Sequence, residues 1–196
     1  MEGPEASFSG AGILTEMGIL RRVSYLLGMK GEMTTINAGQ SAPNFSLKGL
    51  DGKQYSLEEL YKHGPVCAAF FKVSCPVCQF TFPFLERLYK QFGGDGVAFL
   101  GVSQDDARAT KDFARQYGVS FPMVMDEKGY PASNAYGLTM VPTIFLIDTD
   151  GTVKVSSMGF NKYDLEKVAS ELADRKHMPR AALFQPNESV PATRPG

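Results

Sequence analysis

Two stretches of the chain, Val66–Val73 and Val97–Val102, run almost without a polar side chain. A strand that is apolar on both sides of its pleat must be covered on both faces, as central parallel strands of an α/β sheet are. Between them, over roughly Pro76 to Phe92, the residues Phe84, Leu85, Leu88 and Phe92 recur at helical spacing and share one face. Strand, helix and strand at this length make a βαβ unit, whose crossover is right-handed. That unit commits the chain to an α/β architecture.

The flanking sequence extends the alternation. Asn44–Lys48 and Lys53–Tyr55 enclose Asp51-Gly52 and predict a small N-terminal hairpin. Ser56-Leu57-Glu58-Glu59 has the form of a capping box that opens a short helix over Leu57–Lys62. Asp105 or Asp106 is placed to cap a helix running to Tyr117, followed by a strand over Pro122–Met125 and a short helix over Ala132–Tyr136. Thr143–Asp148 and Thr152–Ser156 flank the turn pair Asp150-Gly151. A last helix, about Tyr163–Arg175, turns Leu165, Val168, Ala169 and Leu172 inward. Beyond His177 the chain is interrupted by Pro179, Pro186, Pro191 and Pro195. The expected organisation is an N-terminal extension over 1–37, one domain over 38–177 and an extended Pro-rich tail over 178–196. The sheet should be parallel in its first half and antiparallel in its second.

Twenty basic and 21 acidic side chains leave a formal net charge of -1, which offers no electrostatic footprint to nucleic acid or an anionic membrane surface. Within the extension, Ile19, Leu20, Val23, Leu26 and Leu27 share a helical face, with Thr15 at the capping position. This pattern reads as a helix packed on the domain, as a helix that pairs two copies into a homodimer, or as a leader ahead of a start at Met33. Glu2 and Glu5 come before the longest apolar stretch near the start, Ala11–Leu14, and the run after Arg21-Arg22 is short. A cytoplasmic location is therefore expected.

Chemistry concentrates in Cys75-Pro76-Val77-Cys78, between a buried strand and a helix. Two thiols at this spacing either chelate a metal or cycle between dithiol and disulfide. A zinc site needs two further ligands, and Cys67, His63 and His177 form no second close pair, so chemistry without metal or cofactor is expected. The unpaired N–H groups and dipole at a helix N-terminus favour an anion, which makes Cys75 the nucleophile and Cys78, one turn inside, the resolving thiol. Pro76 fits the first helical turn, where a missing N–H costs nothing. Lys72 either adds positive potential beside the thiols or simply marks where a buried strand meets solvent. Cys67, inside the first apolar stretch, reads as a small buried hydrophobe.

The run Phe70-Phe71-Lys72-Val73-Ser74-Cys75-Pro76-Val77-Cys78, with Pro83 inside the helix and Val141-Pro142-Thr143 heading a later strand, resembles the thioredoxin superfamily. More narrowly, it is similar to the TlpA/ResA-like and AhpC/TSA (redoxin) branch. Residues 104–137 match the extra strand–helix segment of that branch, and Gly39–Phe45 its usual opening. The resemblance spans about residues 38–175 and implies a thioredoxin-like fold: a central mixed sheet flanked by helices, with a TlpA/peroxiredoxin-type insertion. It also implies that Pro142 is a cis-proline facing the cysteine pair, and that Val141, Pro76 and Val77 line the substrate site. Three positions depart from the pattern. Ser74 replaces a frequent tryptophan, Ala69 the buried acid of thioredoxins, and Thr81 the glutamate of ResA-like proteins. Proton transfer at Cys78 is then left to water, a backbone group or another side chain. With no histidine between the cysteines, a moderate-to-reducing potential is expected.

The activity this resemblance implies is thiol–disulfide exchange on a disulfide-containing protein or small-molecule disulfide, with a thiol reductant recycling the pair. The alternative is a peroxiredoxin-like peroxidase using Cys75 on peroxide. Against it, Lys72 stands where that motif carries threonine, and the motif's proline is missing. A third reading is a redox-sensing adaptor without turnover.

Overall fold

The computed structural model describes residues 34–196. The helix expected around Ile19–Leu27, and with it the homodimer reading, lies outside the described residues. Strands β1 (Ser46–Lys48) and β2 (Gln54–Ser56) pair antiparallel across the Asp51-Gly52 turn, as the sequence predicts. The helix α1 (Leu57–His63) follows directly. The βαβ unit consists of β3 (Val66–Phe71), α2 (Pro76–Phe92) and β4 (Ala98–Ser103). After it come α3 (Ala107–Gln116), β5 (Met123–Met125) and α4 (Pro131–Ala135). The chain continues through β6 (Thr143–Ile147), β7 (Val153–Met158), β8 (Phe160–Asn161), α5 (Lys162–Arg175) and β9 (Thr193–Arg194).

The main sheet has the order β5-β4-β3-β6-β7. Strands β3, β4 and β5 run parallel, while β6 is antiparallel to β3 and β7 antiparallel to β6. All six residues of β3 are buried. Their side chains divide by the pleat. Cys67, Ala69 and Phe71 join the core under α2 and α5, and Val66, Ala68 and Phe70 join the core under α1 and α4. Fully burying one such apolar side chain is worth about 1.5–3 kcal/mol, so the register of β3 holds both layers at once. On α2, Phe82, Leu85, Leu88 and Phe92 are wholly buried, and Phe82 lies 4.4 Å from Phe71, centroid to centroid.

Several local expectations are corrected. Ser56 makes no side-chain cap; Asn44 Oδ1 accepts from the Glu58 N–H at 3.0 Å instead. Ser56 is still paired in the β1–β2 ladder opposite Ser46, so the chain enters α1 straight from the strand, and Asn44, just ahead of β1, reaches the free donor. At α3 the cap is Asp106, which accepts from the Ala109 N–H at 2.8 Å. The domain boundaries expected at 37 and 177 also move, because the compact body runs from Thr34 to Gly196. At the front, the buried Thr35 donates to Gly137 O at 2.9 Å. Residues 178–196 form no helix and turn at Gln185–Glu188; Leu183 and Phe184 are buried in the core under α2 and α5, and β9 pairs antiparallel with β8.

One buried carboxylate holds the approach to the last loop before β6. Asp126, 1% exposed, accepts from the Ala132 N–H, the Ser133 N–H and the Ser133 hydroxyl at 2.9, 2.8 and 2.7 Å. It thereby caps α4, whose following Tyr136 packs on Phe70 and Phe145 at 4.9 and 5.0 Å. Replacing Asp126 by Ala strands these donors, at about 1–3 kcal/mol for each buried group left unpaired. Urea unfolding is expected to show that loss for Asp126→Ala and a smaller one for Asp126→Asn, which keeps one acceptor oxygen.

Candidate active site

The end of β3 delivers the cysteine pair. Past Phe71 the chain turns through Lys72–Ser74, closed by the Cys75 N–H donating to Lys72 O at 3.1 Å. Cys75 then sits at the N-cap of α2 with extended backbone, φ -79° and ψ 115°, and its Sγ accepts from the Cys78 N–H at 3.3 Å. Pro76 occupies the first turn, as expected. Cys75 is half-buried and Cys78 fully buried, one turn behind it.

The second half of the site comes from the loop before β6. The Val141–Pro142 peptide is cis, and Val141 O accepts from the Cys75 thiol at 3.3 Å. The Thr143 hydroxyl donates to Met140 O at 2.8 Å and the Gly159 N–H to Pro142 O at 2.7 Å, which fixes this loop against the sheet. The antiparallel pairing of β6 with β3 thus brings together Cys75 and Val141, more than sixty positions apart. Pro76 is exposed and Val77 and Val141 half-buried, so these three form the rim around Cys75.

Lys72 is exposed where β3 ends, and its C=O takes the Cys75 N–H. Burial pushes the Cys78 thiol well above the ordinary thiol range, and the adjacent Cys75 adds to the rise, while backbone groups of Lys72 and Cys78 oppose it. Ala69 and Thr81, the two positions that lack an acid, are both buried. The Thr81 hydroxyl donates to Val77 O at 2.6 Å and is spent within the helix.

Two residues that sequence reasoning missed brace the cysteine loop. The Asp105 carboxylate accepts from the Val73 N–H at 2.7 Å, and the Gln79 amide donates to Val73 O at 2.9 Å. The signal for Asp105 was the Asp105-Asp106 pair itself, since one cap needs one carboxylate. Parallel pairing of β3 with β4 sets Phe71 beside Ser103, so residues just past both strand ends meet. Cys67 is 1% exposed among apolar neighbours, and burial pushes its thiol up to about 12. Among the described residues, no three His, Cys, Asp or Glu side chains gather as a metal-holding set, and no helix is long and apolar enough to cross a membrane. A half-exposed sulfur at a helix mouth, with a second sulfur sealed behind it, can open and close a disulfide.

Residues 38–156 match the model of the AhpC/TSA family. The thiol-disulfide oxidoreductase ResA of Halalkalibacterium halodurans is 33% identical over 159 residues, covering 77% of this chain and 89% of the relative. The protein of the same name from Bacillus anthracis is 34% identical over 133 residues, covering 67% and 76%. Among solved structures, one assigned as the thiol:disulfide interchange protein DsbE of Chlorobium tepidum superposes with a TM-score of 0.63 at 26% identity, over 71% of this chain and 98% of that one. The fold is thioredoxin-like, as the resemblance implied.

The burial of Cys67 carries a consequence for stability at alkaline pH. An unfolded thiol ionises near pH 8.5, whereas Cys67 in the folded chain does so at about 12. Its contribution is therefore complete below about pH 8.5 and is lost as pH rises toward 12, at up to about 1.4 kcal/mol per pH unit. Denaturant titrations between pH 8 and 10 are expected to show a shallower fall for Cys67→Ala than for the parent. Iodoacetamide should leave Cys67 unmodified until the protein unfolds.

Proposed function

The chain belongs to the AhpC/TSA family, and on that premise we propose that it is a thiol–disulfide oxidoreductase working through Cys75 and Cys78. One observation carries the assignment of roles. The two sulfurs differ in access, Cys75 reaching solvent at the mouth of α2 and Cys78 being sealed a turn inside it. An incoming disulfide reaches the first sulfur alone, and the second can act once the first is engaged.

In the forward direction the Cys75 thiolate attacks one sulfur of the substrate disulfide. The substrate S–S bond breaks, a Cys75–substrate disulfide forms, and the other substrate sulfur leaves as a thiolate that takes up a proton. Cys78 then loses its proton and attacks Cys75 Sγ, closing the Cys75–Cys78 bond and releasing the second substrate thiol. Two electrons pass from the protein dithiol to the substrate, and a thiol reductant returns them. The Cys78 N–H, which already points at Cys75 Sγ, stabilises the Cys75 thiolate that makes the first attack. Asp105 and Gln79 position the loop and touch neither sulfur.

Turnover of insulin disulfides and of 5,5′-dithiobis(2-nitrobenzoate), with dithiothreitol as final reductant, tests the reading. Cys75→Ser should abolish both, and Cys78→Ser should accumulate the mixed disulfide at Cys75, detectable by mass. Fast, Cys75-dependent consumption of hydrogen peroxide without disulfide turnover would instead make the protein a peroxidase.

The resolving step has its own pH signature. Because burial holds the Cys78 thiol protonated, release from a preformed mixed disulfide should accelerate about tenfold per pH unit between pH 6 and 8, following the thiolate fraction. A rate flat over that range would remove Cys78 as the resolving thiol.

A further inference from the structure

The last residues of the chain lie on the groups that the site would offer a substrate. Strand β9 pairs antiparallel with β8, Arg194 opposite Phe160 and Thr193 opposite Asn161, and the Lys162 N–H donates to Ala192 O at 2.9 Å. The Arg194 guanidinium covers the ring of Phe80, 4.1 Å from its centroid, and Phe80 lies on α2 just beyond Cys78. Backbone fits against backbone here. A Cβ on Gly159 would strike the Arg194 carbonyl, and a Cβ on Gly196 would strike the carbonyl of Val141. That Val141 oxygen is the acceptor of the Cys75 thiol. Chain end and reactive sulfur therefore converge on one carbonyl.

The hold on this segment is graded. Upstream it is anchored by Leu183 and Phe184 in the core and by Arg87, which donates to Leu183 O at 3.3 Å and grips Glu188 with both terminal nitrogens. Residues 192–196 are all exposed and rest on two ladder positions, the Lys162–Ala192 hydrogen bond, the Phe80 ring and the backbone contacts at Gly159 and Val141. They can lift away while the anchor stays.

We propose that β8, the face of Phe80 and the Val141 carbonyl form a docking edge for an extended polypeptide beside Cys75, and that Thr193–Gly196 is its occupant in cis. The proposal rests on the exchange reading above and names its substrate class, a polypeptide disulfide that enters by displacing the tail. Strand addition supplies pairing that any sequence can make. The Phe80 face favours a cation, so a substrate with Arg or Lys near its disulfide competes best. A small disulfide needs the Cys75 sulfur alone and leaves the tail in place.

The test compares the full chain, a chain ending at Pro191 and Arg194→Ala, each with insulin and with 5,5′-dithiobis(2-nitrobenzoate). Removing residues 192–196 should raise kcat/KM for insulin about tenfold, since a tethered competitor is lost, and Arg194→Ala should give part of that rise. The small disulfide should change by less than about twofold, as it meets no tethered competitor. A synthetic peptide of residues 190–196 should slow the shortened chain on insulin competitively. Equal effects on both disulfides, or none on insulin, would overturn the proposal. Should neither disulfide turn over in any folded variant, the exchange reading fails by itself. Amide shifts of Val141 and Phe160 on adding the peptide to the shortened chain then decide the edge: shifts sustain it, and their absence refutes it.

Discussion

Because β3 is covered on both faces, its six residues are apolar side chains and one sealed thiol, and the chain's first chance to do chemistry comes where the strand ends. That double burial sets everything downstream. It fixes which alternate residues face α2 and which face α1 and α4, and so fixes where α2 begins. Parallel pairing with β4 brings Asp105 to the Val73 amide, and antiparallel pairing with β6 brings Val141 to Cys75. A one-residue slip of β3 would exchange the two cores and separate these partners.

The site works by a difference in burial. Both sulfurs lie within a single turn of one helix, yet one meets solvent and the other is fully enclosed, its thiol held up by desolvation. Enclosure keeps the second sulfur from competing for substrate and releases it when a mixed disulfide draws the pair into reaction. No carboxylate is needed to create that asymmetry, since Ala69 and Thr81 are themselves buried parts of the packing. The brace on the cysteine loop is made of neutral backbone groups held by Asp105 and Gln79.

The C-terminal segment makes use of the same edge. Its prolines keep the segment out of a helix, and after a turn at Gln185–Glu188 its end runs as a strand against β8 and reaches the loop at Val141. Leu183 and Phe184 supply the anchor, and the exposed end supplies a contact that can be broken. Docking of an extended polypeptide beside Cys75 is thus governed by a segment more than a hundred residues away in the chain.

What the sequence determined by itself was whatever depends on local pattern. Uninterrupted apolar runs require strands covered on both faces, spacing on α2 and α5 requires buried stripes, and a cysteine pair at a helix start places two sulfurs one turn apart. Each of these follows from periodicity, which the chain carries in short windows. Tertiary structure decided what depends on strands finding their neighbours. It gave the α1 cap to Asn44 in place of Ser56 and turned Asp105 from a candidate cap into a brace. It also folded residues 178–196 onto the body. A hydrogen bond goes to whichever donor or acceptor the fold brings within about 3 Å, and that distance is set by pairing across the sheet, which no window of the sequence contains.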